Sequence, residues 1–211
     1  MTSRKRRADG EASRSRILDA AAEIAGERGY EGTSIARVRE RAGLPASSIY
    51  WYFADKDELI AAVIERSFDR WLAQAESALP RSGALSQAET VATGLRAIAQ
   101  ALLDAPEFLR LGLMLMLEKR PEEPTARRLF LKVRDTARER TAVFYREVFP
   151  ALAEAQVQQL AAFTLAVVDG VFISHEVEQE RTGDHTLLDS FDLIAAAVLG
   201  VADQFSADVA R

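Results

Sequence analysis

Apolar residues recur at intervals of three and four along almost the whole chain, the spacing that marks one face of an α-helix. Ile17, Leu18, Ala21, Ile24 and Ala25 form the first such face, and Gly29 is placed to end it. After Gly32, either Thr33 or Ser34 can cap a short second helix carrying Ile35, Val38 and Ala42, which Gly43 stops. A third short helix follows Pro45 and keeps Ile49 and Phe53 inward. Asp55 then reads as an N-cap with Glu58 at the third helical position, a variant of the capping box. It opens a longer helix through Leu59, Ile60, Val63, Ile64, Phe68, Trp71 and Leu72.

Pro80 and Gly83 interrupt that helix, and two more segments follow at about 86–103 and 106–119. Beyond Pro121 and Pro124 the pattern gives a long charged amphipathic helix to Pro150, then two last helices at about 154–181 and 187–205. Neither strand-like alternation nor an internal repeat is present. The spacing therefore predicts an all-α protein of about nine helices.

Composition narrows the chemistry. With 48% hydrophobic and 28% charged residues over 211 positions, the balance is that of an ordinary globular protein. The absence of cysteine excludes disulfides, thiolate nucleophiles and cysteine-held metals, and with two histidines no metal site is expected. No cofactor is expected either. Acids at positions 19 and 23 interrupt what would have to be the apolar core of a signal segment. The longest uncharged run, Ala155 to Val168, is shorter than the roughly 18 apolar residues of a membrane span. A cytoplasmic protein without membrane contact is expected.

The net charge of −5 argues by itself against a nucleic-acid partner. Its distribution argues the other way. Residues 1–56 carry eleven basic and eight acidic side chains, whereas the remainder carries sixteen basic and twenty-four acidic. A basic head on an acidic body fits a polyanion bound at one end only.

That end also holds two short helices meeting at a glycine turn, about 34–42 and 46–53 around Gly43-Leu44-Pro45, which is the helix-turn-helix pattern. With Ile49 and Phe53 inward, Ala46, Ser47, Ser48, Tyr50, Trp51 and Tyr52 are left partly exposed, and three adjacent exposed rings call for a partner. Lys56 stands at the first helical position after its cap, where the helix dipole favours an anion. It reads either as a solvated lysine offsetting Asp55, Asp57 and Glu58 or as part of a phosphate site. The aromatic cluster one turn upstream favours the second.

Between Arg16 and Val63 stand, in order, Ile-Leu-Asp-Ala-Ala at 17, Gly-Tyr-Glu-Gly-Thr-Ser at 29, Arg-Ala-Gly-Leu at 41 and Ile-Tyr-Trp-Tyr-Phe-Ala-Asp-Lys-Asp-Glu-Leu at 49. On these motifs rests a resemblance to the N-terminal domain of TetR/AcrR-type transcriptional regulators. It implies a homodimeric repressor with an N-terminal DNA-binding domain and a larger C-terminal domain for ligand and dimerisation. By position, it implies phosphate contacts for Tyr50, Tyr52 and Lys56, base-edge contacts for Ala36, Ala46 and Ser47, and core places for Ile49 and Phe53. Ser34, Ser48 and Trp51 complete the expected DNA-binding set. Pro45 stands where the family often has a serine that caps the recognition helix, so this cap must come from elsewhere or be missing. Tyr52 stands where histidine is common, and its hydroxyl can still donate one hydrogen bond to phosphate. Ala46, Ser47 and Ser48 offer no long bidentate donor, so specificity should lean on thymine methyls, serine hydroxyls and DNA shape.

The expected organisation is a basic disordered arm at 1–12, a helix-turn-helix domain at 13–56 and an effector-binding and dimerisation domain at 57–211. In the arm, Arg4, Lys5, Arg6 and Arg7 are either a solubilising tail or a segment that follows phosphates or enters the minor groove. Around the methionine-rich run near 111–117, the candidates for an apolar or aromatic effector are Phe68, Trp71, Phe108, Leu111, Met114, Leu115 and Phe172. Leu187, Phe191, Ile194, Val198, Val201 and Phe205, with Leu160, Val167 and Val171 on the preceding helix, form the expected dimer interface. The alternative for those stripes is the chain's own core. Asp169 and His175 read as hydrogen-bonded structural residues. No phosphate loop, metal triad or nucleophile elbow is present, so an enzyme is not expected. The partners expected are a palindromic double-stranded operator, a small-molecule effector and a second copy of the chain.

Overall fold

Glycines, prolines and caps divide the chain where the apolar spacing breaks, and the described residues form nine helices and no strand. The computed structural model describes residues 2–78, 85–117, 124–182 and 187–209, without the side chains of 2–8, 180, 182, 208 and 209. The helices are α1 (Thr2–Gly32), α2 (Ile35–Ala42), α3 (Ala46–Tyr52), α4 (Lys56–Ser77), α5 (Gln87–Asp104), α6 (Glu107–Leu117), α7 (Thr125–Val148), α8 (Glu154–Thr182) and α9 (Leu187–Val209). The breaks expected at Pro80, Gly83, Pro121 and Gly183 to His185 lie outside the described residues.

Helix begins earlier than the apolar pattern. α1 starts at Thr2, so the stretch expected to be a disordered arm is helical from its second residue. Arginine, lysine, alanine and glutamate are good helix formers, and their summed preference extends α1 beyond the apolar pattern. The side chains of Arg4, Lys5, Arg6 and Arg7 lie outside the described ones. Gly29 interrupts α1 as expected, with φ 68 and ψ −175, and the chain runs three residues further to Gly32.

The chain divides into two compact units, one of residues 1–69 and 105–133, the other of residues 70–104 and 134–211. α4 and α7 each supply residues to both. In the first unit, Ile17, Leu18, Ala21 and Ile24 of α1 are buried with Val38, Ile49, Phe53, Leu59, Ile60 and Ile64. Each such aliphatic or aromatic burial is worth about 1.5–3 kcal/mol.

The α6 run expected to wall an effector pocket belongs to this core. Phe108, Leu111 and Leu115 are buried, and Phe68 meets Phe108 edge-on with ring centroids 5.5 Å apart. Met114 is the exposed member, its Cε 2.7 Å from where a Cβ would stand at Gly29. α6 packs against α1, and that neighbour turns the apolar run inward. Gly112 is needed there because Phe130 ring atoms lie 2.0 Å from the place of its missing Cβ.

In the second unit α9 packs against α5 and α8. Leu187, Phe191, Ile194 and Val198, expected at a dimer interface, are buried within the unit, as is Leu160. An apolar stripe takes the nearest apolar face, and α5 supplies one in Val91, Leu95, Ala99 and Leu102. Val167, Val171, Val201 and Phe205 are half-buried, and Phe172 is buried. α8 between Glu154 and Gln179 is long and apolar enough to cross a membrane, but here its Val157, Leu160, Ala161 and Phe172 are core residues of this unit.

Candidate nucleic-acid interface

Local chemistry sets the two short helices at the head of the chain. The Ser34 hydroxyl oxygen accepts from the Arg37 N–H at 3.3 Å and so caps α2. Gly43 closes α2 in the left-handed region, φ 62, donating its N–H to Arg39 and Glu40 carbonyls. From α1, the Arg16 guanidinium donates to the Ala42 carbonyl at 2.6 Å and satisfies another end group of α2. α3 begins at Pro45 with no side-chain cap, which is one of the two outcomes expected of a proline in that place.

Ile49 and Phe53 anchor α3, both almost fully buried, and the Arg14 guanidinium lies 5.6 Å from the Phe53 ring centroid. This anchoring leaves the opposite face open. Trp51 is 83% exposed and Tyr50 56%, with Ser47 exposed and Ala46 and Ser48 half-exposed. On α2, Ala36 is exposed. Two expected contacts are instead engaged within the protein. The Tyr52 hydroxyl donates to the Gly10 carbonyl at 2.9 Å, tying α3 to α1. Lys56 places its Nζ 4.2 Å from the Tyr30 ring centroid, donates to the Tyr30 carbonyl at 3.3 Å and pairs with Glu31 at 3.4 Å.

The cap of α4 has the expected form. Asp55 accepts from the Glu58 N–H at 2.8 Å, and Glu58 reaches back to the Ala54 N–H at 2.6 Å. Arg39, outside the expected set, is exposed three positions beyond Ala36 and hence on the same side of α2, a place that helical spacing alone marks. Arg41 differs, since Glu23 at 2.8 Å and Glu27 at 3.1 Å hold it, and its hydrogen bond and charge keep the Glu27 carboxyl below its usual range.

Residues 17–63 match the model of the tetR family of bacterial regulatory proteins. Over that segment the chain is similar to the TetR/AcrR family of transcriptional regulators. Among relatives of this chain, the transcriptional repressor KstR of Mycolicibacterium smegmatis is 37% identical over 70 residues, 33% of this chain and 34% of its own. The transcriptional regulator BetI of Burkholderia mallei is 28% identical over 167 residues, 77% of this chain and 81% of its own. With KstR and AcrR, the chain aligns over about a third of the relative's length. The same fold occurs in a transcriptional regulator from Rhodococcus sp. Rha1, TM-score 0.70 at 22% identity, covering 89% of this chain and 96% of that one. It occurs again in the fatty acid degradation regulator FadR of Bacillus halodurans, TM-score 0.71 at 15% identity, covering 88% and 94%.

The second unit holds a cavity of about 280 Å³ between α4, α5 and α7. Of the expected effector contacts only Trp71 lines it. Leu72, Leu95, Ile98, Val143, Phe144 and Tyr145 are among the other residues of its apolar wall.

Proposed function

We propose that this chain is a homodimeric, DNA-binding transcriptional repressor that leaves a palindromic operator when a small molecule fills the α4–α5–α7 cavity. The observation that carries the DNA-binding part is the open face of α3. A helix that follows a left-handed glycine turn and keeps Ser47, Tyr50 and Trp51 outward while Ile49 and Phe53 hold it down is suited to a major groove. Tyr50, Lys56 and Arg39 act on phosphates, and Ala36, Ala46, Ser47 and Ser48 meet base edges. Ser34 contributes through α2. For Lys56 and Tyr52, binding requires a change of partner, with phosphate replacing the Glu31 carboxylate and the Gly10 carbonyl. The basic segment at 4–7 follows the backbone beside them.

A dimer supports this reading because it sets two recognition helices about 34–36 Å apart, one turn of duplex. The interface is the outward face of α8 and α9. Ala162, Ala166, Gly170, Ile173 and Val177 recur there at helical spacing, and Leu193 on α9 is 74% exposed. Occupation of the cavity favours a position of α4 in which the heads no longer match the operator, and by linkage DNA weakens effector binding by the same factor. The names of KstR as a repressor and AcrR and BetI as regulators support the class.

A mobility-shift titration with the DNA upstream of the chain's own gene tests the proposal. Tyr50→Ala with Lys56→Ala abolishes the shift, and removal of residues 1–8 flattens the salt dependence of binding. Retention of full affinity by the double variant, with its fold intact by circular dichroism, sinks the DNA-binding assignment.

A further inference from the structure

The cavity in the second unit carries charge as well as apolar surface. Among the described residues, three charged side chains line it: Glu76 of α4, and Arg140 and Glu147 of α7. Glu76 and Arg140 form an ion pair at 3.6 Å. Glu147 is exposed and forms no ion pair among the described residues. One carboxylate thus remains uncompensated on a wall that also presents the rings of Trp71, Phe144 and Tyr145. Aromatic faces attract cations at such a place, tryptophan most strongly, and they repel anions.

We infer that this cavity takes an apolar or aromatic cation, with Glu147 as its counter-ion and the aromatic wall around its apolar body. This rests on the proposed effector role of the same cavity and specifies the chemistry of the ligand. The alternative charge is disfavoured by what it would break. An anionic ligand has only Arg140 to meet, must take it from Glu76, and then leaves Glu76 and Glu147 both uncompensated beside a negative guest. A cation meets Glu147 with the Glu76–Arg140 pair left in place. An uncharged polar group of the wall, Thr141, already donates its hydroxyl to the Ala137 carbonyl at 2.9 Å, so toward a ligand it offers an acceptor, which again suits an ammonium group.

Trp71 makes the inference measurable, since the chain has two tryptophans and Trp51→Phe leaves Trp71 as the sole reporter. Quenching of Trp71 fluorescence is titrated at neutral pH with three probes of one shape: 4-phenylbutylammonium, 4-phenylbutan-1-ol and 4-phenylbutanoate. The ammonium binds at least tenfold more tightly than the carboxylate, with the alcohol between them, and Glu147→Gln removes most of the ammonium's advantage over the alcohol. Equal or tighter binding of the carboxylate, an ammonium preference unmoved by Glu147→Gln, or no quenching by any probe at millimolar concentration overturns it. Glu147 is exposed on α7, so the variant folds. Operator release by the ammonium, measured on the chain with both tryptophans, separates the two readings. Binding with Glu147 dependence but without release supports the charge assignment and counts against the effector role proposed above.

Discussion

The carboxylate of Asp57, in the first turn of α4, accepts a hydrogen bond from the Ala126 N–H at 3.3 Å and so caps the start of α7. The Thr125 N–H donates to its other oxygen, and the Tyr30 hydroxyl donates to Oδ1 at 3.3 Å. One side chain thus satisfies end groups of a helix far away in sequence and holds the ring on which Lys56 rests.

Asp57→Ala is expected to destabilise the protein by about 1 kcal/mol, the usual cost of a lost N-cap. Hydrogen exchange at Thr125 and Ala126 should accelerate while exchange in α2 is unchanged. Asp57→Asn, which keeps an acceptor, should recover part of both effects. Unchanged exchange at Thr125 in Asp57→Ala would show that the cap contributes nothing.

The caps within one helix were legible in the sequence, and this one was not, for a physical reason. Ser34, Gly43, Asp55 and Glu58 act on residues three or four positions away, so their spacing reveals them. Asp57 acts across 68 and 69 positions, on Thr125 and Ala126, and nothing local marks it. The same limit explains the stripes of α9 and the run on α6. Periodicity shows that Leu187, Phe191 and Ile194 share a face but not whether α5 or a second chain covers it. On α3 the open face was legible because Ile49 and Phe53, four apart, fix which side is inward. The engagement of Tyr52 with Gly10 was hidden because helical preference, not apolar spacing, carries α1 back to that residue.

Arg134 and Asp169 form a bidentate pair with both contacts at 2.6 Å, and burial pushes the Asp169 carboxyl above its usual range despite the guanidinium. Desolvation of the ionised carboxylate therefore costs more than its partner returns. A raised folded-state value means that the folded protein holds this proton more tightly, so the site's contribution to stability falls as pH rises above the usual carboxylate range. Arg134→Leu alone should destabilise the protein by about 3 kcal/mol, because a partly buried carboxylate is left without its charge partner. Adding Asp169→Leu should restore most of that loss. Urea denaturation of the single and double variants checks it, and a double variant as unstable as the single would refute the ledger.

Glu154 at the start of α8 shows the opposite sign. Arg146 donates to both of its oxygens, at 2.8 and 2.7 Å, and with Gln158 holds its carboxyl down to about 2. A depressed value stabilises the fold above the unfolded carboxylate's range and is lost as pH falls through about 2. In Arg146→Ala that acid-dependent loss should be smaller between pH 4.5 and 2, seen as a shallower fall of the melting temperature over that window. An unchanged pH profile would mean that this surface pair is already screened by solvent.

Gly170 and Gly200 stand inside α8 and α9 with nothing within 4 Å of where a Cβ would be. Glycine inside a helix costs about 0.5–1 kcal/mol relative to alanine, and no close neighbour among the described residues calls for it. Close approach of another helix does, and Leu193, 74% exposed, lies seven positions before Gly200 and hence on nearly the same side of α9. Gly200→Leu should weaken self-association at least tenfold in sedimentation equilibrium while leaving helix content and melting of the dilute protein unchanged or improved. Leu193→Glu should act in the same direction. Phe191→Glu places a charge in the unit's own core and should unfold it instead. If Gly200→Leu and Leu193→Glu leave association untouched, the outward face of α9 is not where a second copy binds.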